Sequence, residues 1–179
     1  MAAGRTISKE ITDFGHLEGA RDGVYRVCLD GRGNEVHESL QARAAPESAP
    51  EAAPDMKKRV ELGEIFCGCG FNLVPSDCDA AVADLENQLG NGVTIDFDSY
   101  YSIRGAVVAF VCSRSSDFPI SGSDYSQYVS DVTSECGRYI AGTYFAVGDG
   151  ADQADIGYMQ YYSGLDFCAH AEGSSSHSC

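Results

Sequence analysis

Seven of the chain's eight cysteines fall between residues 67 and 179, and that crowding constrains the fold more than any other feature. They are Cys67, Cys69, Cys78, Cys112, Cys136, Cys168 and Cys179, with Cys28 alone upstream. Such density suits an oxidising compartment, where covalent bridges supplement a small hydrophobic core. The first six lie within or beside expected strands and helices, which allows three bridges and about 15 pairings. Cys179 is then left over, to pair with Cys28, with another chain or with nothing.

The crowding begins at an abrupt change of composition, the basic cluster Lys57-Lys58-Arg59 followed by Val60. Residues 1–59 hold ten acids and nine bases, a net charge of −1. Residues 60–179 hold 17 acids, no lysine and three bases (Arg104, Arg114, Arg138), a net charge of −14. A basic tripeptide between an exposed linker and a cysteine-rich domain reads as the site of a secretory processing protease of the Kex2/furin type. On that reading 1–59 is a pro-segment, cut after Arg59, and 60–179 is the mature protein. The acidic field repels nucleic acid and anionic membrane within a Debye length of about 8 Å. It favours solubility and a basic partner, so no nucleic-acid partner is expected. No apolar run reaches the roughly 18 residues that cross a bilayer. The first residues, Met-Ala-Ala-Gly-Arg, lack the apolar core of a signal peptide. Because the cysteines imply secretion, a signal is expected to have been removed upstream, leaving an extracellular protein.

The pattern along the chain predicts an α+β fold. Residues 23–38 read as a weak hairpin around the turn Asp30-Gly-Arg-Gly-Asn34, which needs a surface to dock on. Residues 41–56, with Pro46, Pro50 and Pro54, read as a flexible linker. Beyond the basic cluster, 64–71 reads as a strand bent at its glycines. Pro75-Ser76-Asp77 opens a helix, with Ser76 or Asp77 as its cap and Cys78, Val82, Leu85 and Leu89 on one face. Residues 93–98 alternate as a half-buried strand, and 105–112 are apolar on both faces, as in a strand covered on both sides. A second helix starts at Ser121 and buries Tyr128, Val129, Val132 and Cys136; strands at 139–147 and 156–162 follow. The order is β-α-β-β-α-β plus one extra strand, the split βαβ arrangement, with two helices on one face of an antiparallel sheet. Cys78 and Cys136, each in a helical apolar stripe, are expected to pin helix to sheet through Cys67, Cys69 or Cys112. The domain is expected to end at 168, with 169–179 a flexible tail unless Cys179 is bridged.

Phe-Cys-Gly-Cys-Gly70, Asp77-Cys-Asp-Ala-Ala81, Ala109-Phe-Val-Cys112 and Glu135-Cys-Gly137, behind a Lys-Arg junction, resemble small secreted effectors of plant-pathogenic fungi. Several such families share a βαββαβ sandwich with the virally encoded killer toxins of smut fungi. The resemblance covers roughly 58–168 and implies secretion, Kex2-type maturation, and virulence or toxicity by binding a host or competitor target. A host protein or a second secreted effector is the implied partner. No binding residue of those families maps onto this chain.

Catalytic chemistry finds little support in the residues. Cys67-x-Cys69 is too short a spacer for a tetrahedral zinc knuckle, and His170, His177 and Cys179 sit in a Gly/Ser-rich tail, so no metal or other cofactor is expected. A secreted ribonuclease-like hydrolase needs acid/base groups and a cation near a phosphorane, and the three arginines are not sequence neighbours of His170 or His177. Asp149, Asp152 and Asp155 in a Gly-rich stretch lack the distal Glu of a calcium loop and read as a solvated turn. Tyr100, Tyr101, Tyr158, Tyr161 and Tyr162 supply amphipathic contact area for an interface, or else pack a sheet face. The expectation is a non-enzymatic secreted binding protein, with a small hydrolase or a secreted inhibitor as the alternatives.

Overall fold

The computed structural model describes residues 21–30, 32, 34–40, 62–148 and 152–179. Lys57, Lys58, Arg59 and Val60, with the 41–56 linker, lie outside these residues. The elements are β1 (Gly23–Leu29), β2 (Glu35–Leu40), β3 (Leu62–Asn72), α1 (Pro75–Leu89), β4 (Val93–Ile95), β5 (Ser99–Arg104) and β6 (Val107–Ser113). Then come β7 (Phe118–Ile120), α2 (Gly122–Cys136), β8 (Ile140–Val147), β9 (Gln153–Gln160) and the short α3 (Phe167–His170). The fold is α+β. Seven strands form one sheet in the order β2-β1-β5-β6-β9-β8-β3, while β4 and β7 make a separate pair. All the pairings are antiparallel.

This sheet departs from the split βαβ order. The strand expected as an extra, β9, lies in the middle, paired with β6 on one side and β8 on the other. The expected 93–98 strand is only β4. Phe97 adopts φ 49°, a left-handed conformation that ends extended structure, and the main-sheet strand is β5 instead.

β6 is buried along its whole length. Val107, Ala109 and Val111 face α1 and α2, while Val108, Phe110 and Cys112 face a second core with Leu165, Phe167 and Cys168. The central strand is thus covered by helices on one side and by the chain's C-terminal segment on the other. α2 begins with a capping box in which Ser121 and Asp124 exchange backbone and side-chain hydrogen bonds. α1 has no side-chain cap: Val74 is its N-cap and Pro75 its first residue. Asp77, expected as a cap, instead accepts from the Ala106 N–H at 3.1 Å in the β5–β6 turn. Gly105, at φ +50°, is required there, because a Cβ would stand 2.2 Å from the Asp77 carboxylate.

Three disulfides join Cys67–Cys136, Cys69–Cys179 and Cys112–Cys168. Cys136 pins α2 to β3 as expected. Cys78 does not pin α1: it is a free, buried thiol. Neither is Cys179 spare, and a Cys28–Cys179 bridge is ruled out because Cys179 reaches Cys69 and Cys28 is free.

Segments from the two ends of the chain flank the strands β5-β6-β9-β8-β3 on either side. On one side the hairpin β1–β2 docks on β5, so a piece of the expected pro-segment is built into the sheet and the structural boundary does not fall at 59. On the other side the expected flexible tail runs along β3. Cys67 N–H donates to Ser176 O at 2.7 Å, Ser174 Oγ to Cys67 O at 2.6 Å and His177 Nδ1 to Ile65 O at 2.7 Å.

Candidate functional site

A break in the β3–β8 ladder creates the site. Gly68 pairs with Ala141 and Asn72 with Ile140, so Cys69, Gly70 and Phe71 bulge out of register. Gly70, at φ +90°, permits the bend. The bulge sends Cys69 to its bridge with Cys179 and leaves Phe71 60% exposed. Beneath it opens a cleft of about 400 Å³ between the sheet's second face and the C-terminal segment. Phe66, Ala141, Thr143 and Met159 form its floor; Leu165, His170, Ala171, Gly173 and Ser174 form its far wall. Tyr162, 57% exposed, stands with Phe71 among the lining residues. The volume falls in the range of small-ligand and side-chain-binding pockets. Among the described residues, no Asp, Glu, Lys or Arg lines it.

A polar cluster lies on the same sheet face. Along β9 the odd-numbered residues face away from α1 and α2, and Asp155, cross-strand partner of Cys112 and Phe145, is completely buried there. Arg114 donates to Asp155 Oδ2 from Nε and Nη2, each at 2.6 Å, and its Nη2 lies 3.1 Å from Glu172 Oε1. Its guanidinium also sits 5.5 Å from the Phe145 ring centroid. Asp155 Oδ1 has no hydrogen-bond partner among the described residues. Burial pushes the Asp155 carboxyl up to about 7; Arg114 opposes this rise and Glu172 adds to it. The cluster ties the C-terminal segment to the sheet. Sequence reading placed Asp155 in a solvated turn; its alternation with Ala154 and Ile156, both buried, was the available signal.

The expected tyrosine interface is dispersed. Tyr101 and Tyr158 are buried on opposite faces of the sheet, Tyr101 in the second core and Tyr158 under α2 with its hydroxyl 3.0 Å from Thr133 Oγ1. Tyr100 packs against the helical core and Tyr161 against the second, so only Tyr162 of the five is well exposed. Phe71, read as part of a strand, is the aromatic that sequence reasoning missed. His170 lines the cleft, whereas His177 lies on the edge of β3, 3.6 Å from Glu64. Among the described residues, no group of three or more His, Cys, Asp or Glu side chains is placed to hold a metal ion, and no helix is long and apolar enough to cross a membrane. Comparison with protein-family models, with curated proteins and with solved structures found no match.

Proposed function

We propose that the protein is a secreted, disulfide-stabilised binding protein, effector-like or killer-toxin-like, that engages a host or competitor-cell target through the cleft beside the β3 bulge. The observation that carries this reading is a cleft with exposed Phe71 and Tyr162 and no Asp, Glu, Lys or Arg among its described lining residues. Rigid aromatic anchors around an apolar hollow suit recognition of a protruding side chain. His170 is the one general acid/base candidate in the lining, and no carboxylate among the described lining residues stands there to pair with it. Three bridges and the strongly acidic composition suit an extracellular life. Maturation by a processing protease after Arg59 belongs to the same proposal.

A hydrolase is the second reading, favoured by one observation, the raised carboxyl of Asp155 beside Glu172 and Arg114. Asp155 is sealed from solvent and does not line the cleft, which suits a structural role better. The test is saturable binding of fluorescently labelled full-chain protein to plant leaf tissue and to fungal cells. Wild type and Asp155→Asn are expected to bind one of these surfaces alike, and Phe71→Ser/Tyr162→Ser about tenfold or more weakly. Absence of saturable binding, or loss in Asp155→Asn alone, would overturn the proposal.

A further inference from the structure

The hairpin β1–β2 is held to the rest of the molecule by seats that the rest of the molecule already possesses. β1 pairs with β5 from Gly23 opposite Ile103 to Val27 opposite Ser99. Val24 and Val27 are buried, 4% and 3% exposed. The Tyr25 ring stacks on Tyr101 with centroids 5.0 Å apart. Arg26 pairs with Asp98 and lies 5.9 Å from the Tyr100 ring centroid. From β2, His37 Nδ1 reaches the Tyr101 hydroxyl at 3.0 Å, and ahead of β1 Asp22 accepts from the Gly105 N–H at 3.0 Å.

Each seat is fixed independently of the hairpin. β5 pairs on its other side with β6 over six residues. Tyr101 packs on Phe167, with centroids 5.1 Å apart, and Arg104 is tied to Asp84 of α1. The Asp98 segment is anchored by the Ser113 N–H donating to Asp98 O at 3.1 Å. The three bridges all lie within 67–179, and Cys28 in β1 is free. Only the chain between Leu40 and Leu62 therefore links the hairpin covalently to its seats.

We infer that the β5 edge is a strand-binding site for an extended segment of the pattern Val-aromatic-Arg-Val, and that residues 21–40 are its resident, exchangeable occupant. Backbone pairing supplies affinity, as in strand addition generally, while the Tyr101 face and the Asp98 carboxylate select the aromatic and the arginine. Once the chain is cut between 40 and 62, the hairpin becomes a separate peptide on this edge. The site is distinct from the cleft, so Phe71→Ser/Tyr162→Ser leaves it intact and the two readings fail separately.

The chain carries its own means of test, because its three lysines are Lys9, Lys57 and Lys58. A lysine-specific endoproteinase acting on the folded full chain therefore yields 10–57 and 59–179. The two pieces are expected to co-elute in gel filtration and to separate in denaturant without reductant. A fluorescent peptide of residues 21–40 carrying Cys28→Ser should then displace the resident fragment, and the same peptide with Tyr25→Ala/Arg26→Ala should bind about tenfold or more weakly. The inference is overturned if the fragment leaves at once and no peptide rebinds, or if the pieces part only under reduction. It also fails if the body loses its far-UV circular dichroism when the hairpin goes, or if the substituted peptide binds as well as the original.

Discussion

Asp155 shows what one inward-facing carboxyl does to stability. Burial holds its folded-state value near 7, well above that of an exposed aspartate, so the folded protein binds the extra proton across the window from about pH 4 to 7. Stability from this group is full at the acid end and is lost as pH rises through about 7, because deprotonation there leaves a buried charge only partly offset by Arg114. Urea unfolding at pH 5 and pH 8 should show wild type losing about 2–4 kcal/mol more than Asp155→Asn. Equal losses in the two proteins would refute this role. Cys78 makes a second case. It follows the helical apolar stripe, so the sequence marks its burial correctly, but burial does not imply a bridge: the cysteine that meets Cys69 comes from the far end of the chain. The Cys78 thiol is pushed up to about 11 by burial. A maleimide should therefore label native protein at Cys28 alone and reach Cys78 only on unfolding. A third reactive thiol, or labelling of Cys78 as fast as Cys28, would contradict the pairing.

The C-terminal segment functions as an element although it is neither strand nor long helix. It covers the second face through Leu165, Phe167 and Cys168, then runs along the edge of β3 to the Cys69–Cys179 bridge, which closes a separation of 110 residues. Cys179→Ser is expected to cost about 2–4 kcal/mol of unfolding free energy, read as a lowered denaturant midpoint. It should also speed hydrogen exchange at the Cys67 amide, which donates to Ser176. An unchanged midpoint and exchange rate would show that the bridge holds nothing. Such an element is hard to read from Gly-Ser-Ser-Ser-His-Ser, because a composition without apolar periodicity signals no structure until a distant cysteine fixes it. The helices were legible from their stripes, and β6 from its two apolar faces. β5 was not: Ser99-Tyr-Tyr-Ser-Ile-Arg104 has buried serines, and the polar Ser102 is satisfied through Asp84 rather than by solvent. The cleft was missed for a related reason. Glycines in Cys-Gly-Cys-Gly-Phe71 signal a bend, but which side chain the bulge turns outward depends on its register against β8.

At the scale of the whole molecule, composition and sheet topology divide the chain at different places. Charge changes at Lys57-Lys58-Arg59, whereas the sheet reaches back across that point to Gly23. A protease that cuts after Arg59 would therefore cut through the sequence of a sheet protein without cutting its sheet. The body would keep three disulfides, the helical core and all of the second core but Val27 and Tyr25, and lose its tether to the hairpin that carries those two. Expressed with a heterologous signal in yeast, the protein should yield a secreted species beginning at Val60 with three bridges and one free thiol, Cys78, by intact mass and N-terminal sequencing. The hairpin fragment should be recovered with it from native purification and resolved from it in denaturant. Lys58→Ala/Arg59→Ala should remain full length, with two free thiols. Secretion of uncut wild-type protein would remove the processing step while leaving the fold unaffected, since nothing in the sheet depends on the cut.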